Sequence, residues 1–243
     1  MTIQSGGDIQ HHPVVSREEW ISARTALLAK EKEFTRLRDE LSRKRRELPW
    51  VKVEKPYVFE GPKGKETLAD LFEARRQLIV YHFMFAPDWD EGCKHCSFWA
   101  DHYDAAGVHL NHRDTTLVVV SRAPLARIEP FKKRMGWRFK WVSSSKNDFN
   151  FDYHVSFTPE EVQSGGAFYN YSRMSPGSAE REGASVFYKD EGGAIFHTYS
   201  CYARGIDMLN GTYQFLDLTP KGRDEEGLEF KQSWVQYHDR YKD

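Results

Sequence analysis

Long apolar runs are missing from this 243-residue chain. The longest, Leu78 to Ala86 (interrupted by His82) and Leu117 to Val120, fall far short of the ~20 residues a spanning helix needs, so no membrane partner is expected. A dominant charge of one sign is missing too. Thirty-five Lys and Arg stand against thirty-six Asp and Glu, which leaves no broad cationic field for a phosphate backbone and excludes nucleic acid as a partner. Cysteine is scarce: three, an odd number, build no disulfide framework, and a reducing compartment leaves them as thiols for chemistry or metal. Met1 to Gln10 carries no Lys or Arg ahead of an apolar stretch, so no secretory signal is expected and the expected address is cytoplasmic. What is plentiful is apolar and aromatic surface, 40% and 14% of residues, enough for one large or two small domains with a sizeable core and too much for disorder.

Residues 1–15 are polar and read as a loose tail. Ser16-Arg17-Glu18-Glu19 is a capping-box signature, in which a hydroxyl and a carboxylate satisfy orphan amides of a first turn, and it predicts a helix running to Leu48 ahead of Pro49. Along it Trp20, Leu27, Phe34, Leu41 and Leu48 recur every seven residues, widened by Ile21, Leu28 and Leu37, which predicts one buried face. Lys30, Glu31, Arg38, Lys44 and Arg45 occupy the second row a zipper would need, so packing on the body or on a second copy is expected instead. The basic run Arg43 to Arg46, interleaved with Glu40 and Glu47, reads as a solvated helix end. Val51 to Glu60 with the turn Gly61-Pro62-Lys63-Gly64 predicts a hairpin, followed by a short helix over Thr67–Glu73.

From Gln77 the pattern changes. Gln77–Phe85 and Thr115–Ser121 are runs of β-formers, each followed by a helical segment, Gly92 to about Leu110 and Pro124–Met135. Strand and helix in alternation predict a parallel βαβ unit. Residues 137–183 form an aromatic-rich insertion, where Phe149, Phe151, Tyr153, Val155 and Phe157 alternate with polar residues, a pattern that predicts extended chain in part of it. Ser185–Lys189 and Ala194–Ser200 flank Asp190-Glu191-Gly192-Gly193, an antiparallel hairpin signature. Helical spacing returns at Ile206, Leu209, Tyr213 and Leu216, and again at Phe230, Trp234, Tyr237 and Tyr241.

Cys93-Lys94-His95-Cys96 opens the first of those helices. A thiolate attacks disulfides, and an unperturbed thiol with a pKa of about 8.5 is mostly protonated at neutral pH. Unpaired amides at a helix start favour the anion, His95 and Lys94 add positive charge, and Cys96 lies nearly one turn on, within reach of a mixed disulfide. The candidate catalytic residues are therefore Cys93, Cys96 and His95, with Cys93 attacking and Cys96 resolving. A CxxC is also half a zinc site, and His102, His109 and His112 follow, but no second CxxC or short His pair completes a tetrahedron. Two buried structural thiols are a further reading. Ser97 after Cys96 excludes haem attachment. Cys201 reads as a packed small side chain or a third redox partner, and Arg204 as a surface residue or an anion holder. Trp89 and Trp99 read as core aromatics, with a substrate platform beside the cysteines as the alternative.

The order β-α-β-α, insertion, β-β-α with the cysteine pair at the first helix is the thioredoxin plan. The stretches Val14 to Trp20, Gln77 to Phe85, Asp88 to Cys93, Val118 to Pro124 and Thr198 to Ser200 resemble a bacterial thioredoxin-like family catalogued as a domain of unknown function. The resemblance runs from Val14 to the C-terminus and implies that fold, with no activity to carry over. More distantly, Gly64 to Phe85 and the cysteine loop resemble the entry to peroxiredoxins. Those place Pro, then Thr or Ser, then the reactive Cys in a short frame, whereas Asp88 to Gly92 separate Pro87 from Cys93 here. His95 within the motif is similar to protein disulfide isomerases. Thioredoxins carry a cis-proline before the third core strand; here Glu182-Gly183-Ala184 stands there, and the nearest proline is Pro176.

These readings predict a three-layer α/β/α thioredoxin-like fold. A loose tail (1–15) and a long helix with hairpin (16–76) precede the thioredoxin-like domain (77–243), which carries the insertion at 137–183. The expected function is a thiol–disulfide oxidoreductase acting on protein or small-molecule thiols and disulfides, without organic cofactor or metal because the cysteines carry the electrons. The alternatives are a thiol peroxidase, or a binding or dimerisation module that forms homodimers through the N-terminal helix.

Overall fold

A computed structural model describes residues 12–242. The expected loose tail lies for the most part outside the described residues. From Ser16 the predicted helix forms as α1 (Arg17–Arg46). The Ser16 hydroxyl accepts the Glu19 N–H at 3.2 Å, and the Glu19 carboxylate accepts the Ser16 N–H at 2.9 Å. The helix stops two residues short of Leu48, with Glu47 as its C-cap. Its predicted buried face is not buried: α1 has no buried residue, and the stripe from Trp20 to Leu48 stays exposed, Phe34 at 65%. The reason is that other elements already cover both faces of the sheet, so α1 meets the body chiefly where Arg45 lies over the Tyr199 ring at 5.5 Å.

The predicted Val51–Glu60 strand is split. β1 (Val51–Lys52) pairs with one edge of the sheet, while β2 (Val58–Gly61) and β3 (Gly64–Thr67) form the predicted hairpin at the other. Then follow α2 (Leu68–Leu71), β4 (Gln77–His82), α3 (Lys94–Ala100), α4 (Tyr103–Asn111), β5 (Thr115–Ser121), α5 (Leu125–Arg134) and β6 (Lys140–Ser143). After α6 (Phe149–Asp152) and α7 (Pro159–Ser164), a small hairpin β7 (Ala167–Tyr169) and β8 (Ser172–Met174) leads to β9 (Gly183–Lys189) and β10 (Ile195–Tyr202). A 3-10 stretch over Ala203–Leu209 and α8 (Gly211–Leu216) complete the elements.

The large sheet runs β1-β10-β9-β4-β5-β6-β2-β3. β4 and β5 are parallel, β9 pairs antiparallel with β4, and β10 antiparallel with β9. That quartet, with the cysteine pair on the helix after β4, is the thioredoxin-like arrangement. Period-two alternation sends Leu78, Val80, Val118, Val120 and Val142 to one face, under α2, α6 and the β2–β3 hairpin. It sends Tyr81, Val119 and Trp141 to the other, under α3, α4, α5 and the C-terminal segment. The result is the three-layer α/β/α fold.

One expectation is refined and two are corrected. Extended chain in the insertion falls at β6, β7 and β8 and at a bridge between Ser156 and Glu180, rather than at Phe149–Tyr153, where the Asn147 side chain accepts the Phe149 N–H at 2.9 Å ahead of a helical turn and His154 then takes a positive φ. The alternation there reflects packing of Phe149 on Tyr153 at 4.6 Å between ring centres. The single helix expected over 92–110 breaks at Asp101, whose carboxylate accepts Trp137 Nε1–H at 2.8 Å, so His95, His102 and His109 do not share one helix. The C-terminal apolar residues form turns rather than a helix: Asp224 and Gln232 adopt left-handed backbone and nothing caps a first turn. Among the described residues no helix is long and apolar enough to cross a membrane.

Candidate active site

Beyond β4 the chain stays in the core through Phe83 and Phe85, then turns back at Pro87 so that the Cys93 N–H donates to the Met84 carbonyl at 2.9 Å. Gly92 makes this return possible. A Cβ there would sit 2.6 Å from the Phe83 ring and 2.9 Å from the Phe131 ring. Cys93 is the N-cap of α3, and its carbonyl accepts both the Ser97 N–H and the Ser97 hydroxyl at 3.0 Å. Cys93 is half-buried and Cys96 is buried; both are free thiols.

Their surroundings push the two thiols in opposite directions. Hydrogen bonding from the Cys96 thiol, then from His95 and the Cys96 N–H, holds Cys93 well below the ordinary thiol range against the opposing effect of burial. Burial first, and the neighbouring Cys93 second, hold Cys96 well above it. His95 Nδ1 stands 3.8 Å from Cys93 Sγ, and the Met84 N–H donates to Cys96 Sγ at 3.4 Å. The structure thus brings all three predicted residues together.

A cavity of ≈ 290 Å³ opens on the pair. Tyr81, Met84, Trp99, Ile206 and Phe230 give it an apolar wall, and Arg181, Glu182, Arg204 and Asp207 add charge. The Tyr81 hydroxyl is buried without a hydrogen-bond partner among the described residues, and burial raises its pKa well above the ordinary phenol value. Trp99 donates its Nε1–H to the Ile206 carbonyl at 2.9 Å. Arg204 pairs with Asp207 at 2.9 Å. Trp99 is therefore a core residue that also lines the cavity, whereas Trp89 packs on the core outside the cavity lining. Cys201 lies apart: it lines a second pocket of ≈ 640 Å³ with His197, Tyr199 and Leu48, and burial raises its pKa. His102 meets Thr212 Oγ1 at 3.2 Å, and no group of three His, Cys, Asp or Glu able to hold a metal occurs among the described residues.

Sequence reasoning missed Tyr81, Arg181 and the covering role of the C-terminal segment. The pair Glu182-Gly183 was visible as a substitute for the usual proline; the structure puts Glu182 in the cavity wall, and a Cβ on Gly183 would meet the Tyr202 ring at 2.5 Å. Also unforeseen is a buried chain of hydrogen bonds behind the site. His82 Nε2 meets Ser185 Oγ at 2.8 Å, Ser185 meets Ser200 at 2.8 Å, and Ser200 meets His197 Nε2 at 2.7 Å. Burial pushes His82 down to about 3, so it is neutral.

Residues 9–241 match the family described as "Bacterial protein of unknown function (DUF899)". No curated protein matches the sequence. Among solved structures, the peroxidoxin BcpB of Mycobacterium tuberculosis is 11% identical, with a TM-score of 0.44 over 68% of this chain and 95% of that one. A peroxiredoxin Q mutant of Xanthomonas campestris is 13% identical, with a TM-score of 0.44 over 66% and 89%. A putative thiol:disulfide interchange protein DsbE from Chlorobium tepidum is 12% identical, with a TM-score of 0.39 over 69% and 94%. The chain belongs to the DUF899 family.

Proposed function

We propose that this chain is a thiol–disulfide oxidoreductase in which Cys93 attacks, Cys96 resolves and His95 helps to keep Cys93 anionic. The reading rests on two neighbouring thiols that line one cavity in unequal surroundings: Cys93, half-buried, has its pKa held well below the ordinary thiol value, and Cys96, buried, has its pKa held well above it. The Cys93 thiolate attacks a disulfide, forming a mixed disulfide and expelling one thiolate, which takes up a proton. The Cys96 thiol then loses its proton and attacks the Cys93 sulfur. The ring closes, the second thiol leaves, and two electrons have passed from the protein to the substrate. An external thiol reductant reverses the change, and no organic cofactor enters.

Mass spectrometry under mild oxidant and then reductant tests this reading. A reversible loss of two hydrogens mapped to Cys93 and Cys96 is expected; an unchanged mass, or a retained metal ion in the native spectrum, overturns it.

A second reading concerns partners and rests on α1. Its stripe from Trp20 to Leu48 is exposed, its first turn carries Glu18 and Glu19, and its last carries Arg43 to Arg46. A second copy in antiparallel orientation sets acidic end against basic end over paired apolar rows, so the proposed partner is another molecule of this chain. Light scattering reads the mass directly: a dimer that Phe34→Ser converts to monomer is expected, and a wild-type monomer at high concentration overturns it.

A further inference from the structure

The C-terminal segment lies over the cysteines and is fastened on both sides of Cys93. Before Cys93, the Tyr237 hydroxyl donates to the Gly92 carbonyl at 2.6 Å; after it, Lys94 Nζ donates to the Ser233 carbonyl at 3.3 Å. Between these anchors Val235 is fully buried, and Trp234 Nε1–H reaches Glu225 at 2.8 Å. The Phe230 ring stands 5.5 Å from the His95 ring. Farther out, Arg134 grips Asp239 through two nitrogens at 2.7 and 3.0 Å, and Arg240 pairs with Glu91. What remains open above Cys93 is the ≈ 290 Å³ cavity, near the lower end of the range for small-molecule sites. A protein disulfide arrives on two stretches of backbone that need this same space.

The walls also carry a charge pattern. Arg204 is occupied by Asp207, but Arg181 has a buried Nε without a hydrogen-bond partner among the described residues. Beside it the Glu182 carboxylate receives, among the described residues, the Tyr169 hydroxyl at 3.3 Å. A guanidinium with free capacity next to a carboxylate fits a ligand that presents a carboxylate and an ammonium near its sulfur.

We propose that the site reduces low-molecular-weight, amino-acid-derived disulfides and turns protein disulfides away, with the strap from Phe230 to Tyr237 as the barrier and Arg181 and Glu182 as the recognising pair. This rests on the thiol–disulfide reading above. The cysteine pair supplies two electrons, the small disulfide becomes two thiols, and dithiothreitol serves as the recycling reductant in the assay.

The test uses the full chain with three substrates: cystine, bis(2-hydroxyethyl) disulfide and insulin. Cystine is expected to react faster than insulin by about a hundredfold or more. Arg181→Gln should lower the kcat/KM ratio of cystine to bis(2-hydroxyethyl) disulfide about tenfold. Phe230→Ala, and separately Tyr237→Phe, should raise insulin reduction relative to cystine. Insulin reduced as fast as cystine by the wild type overturns the barrier. An unchanged substrate ratio in Arg181→Gln overturns the recognition. Failure of all three substrates to oxidise the pair falls instead on the thiol–disulfide reading.

Discussion

Two stretches of this chain carry apolar residues at helical spacing, and they end in opposite states. The first, with its stripe from Trp20 to Leu48, lies on a helix of thirty residues, Arg17–Arg46, that buries none of them. Phe230 to Tyr241 forms no helix, yet it places Val235 and Tyr237 in the core and roofs the cysteines. The difference teaches that apolar spacing alone reports neither helix nor burial. The first stretch has a capping box and an interior of Ala, Leu, Lys, Glu and Arg, so it is helical on local grounds alone. The second lacks a cap but finds a site between α3 and α5 that its rings fill: Tyr237 packs on Phe131 at 5.7 Å and Trp234 on Phe98 at 5.5 Å.

Substitutions test that contrast. In the strap, Val235→Ala should cost about 2 kcal/mol of stability in denaturant titration and speed alkylation of Cys93, because it opens a void in the roof. In α1, Leu27→Ser should leave the stability of the isolated chain within about 0.5 kcal/mol. Equal losses at the two positions would show that α1 is packed after all.

Acid titration sharpens the comparison, since the strongly displaced carboxyl lies in the packed body and not on α1. Burial pushes Glu180 up to about 7 despite Arg122 at 2.9 Å. Its folded form therefore holds a proton that the unfolded chain has already released, and stability from this group falls as pH rises from about 4.5 to about 7. Over that window wild type should lose about 3 kcal/mol relative to Glu180→Gln, measured as the difference between the two denaturation profiles. A flat difference removes the buried carboxyl from the account. The smallest effect is local: Ser16→Ala should cost about 1 kcal/mol of α1 stability, seen as fraying by circular dichroism, with Cys93 alkylation unchanged.

The fold was legible where local and tertiary demands agree. Gln77–His82 and Thr115–Ser121 are covered on both faces, so their strands appear as unbroken β-forming runs. Asp190 to Gly193 marked its hairpin through turn chemistry. Cys93 and Cys96 were legible as a pair because they stand three positions apart at the start of α3. Tyr81, Arg181 and Glu182 were not, since residues separated by about a hundred positions meet only through sheet order. Nor was β6 legible: four residues between two helices give too short a pattern, and only pairing with β5 makes Lys140–Ser143 a strand.

Gly92 and Gly107 show what this packing does to sequence tolerance. A methyl group added at Gly107 meets nothing within 4 Å, whereas at Gly92 it would overlap two aromatic rings. In a saturation library selected for a working protein, codon 107 should drift freely while codon 92 stays monomorphic, so a hydrogen atom facing Phe83 and Phe131 governs where the sulfur of Cys93 can stand.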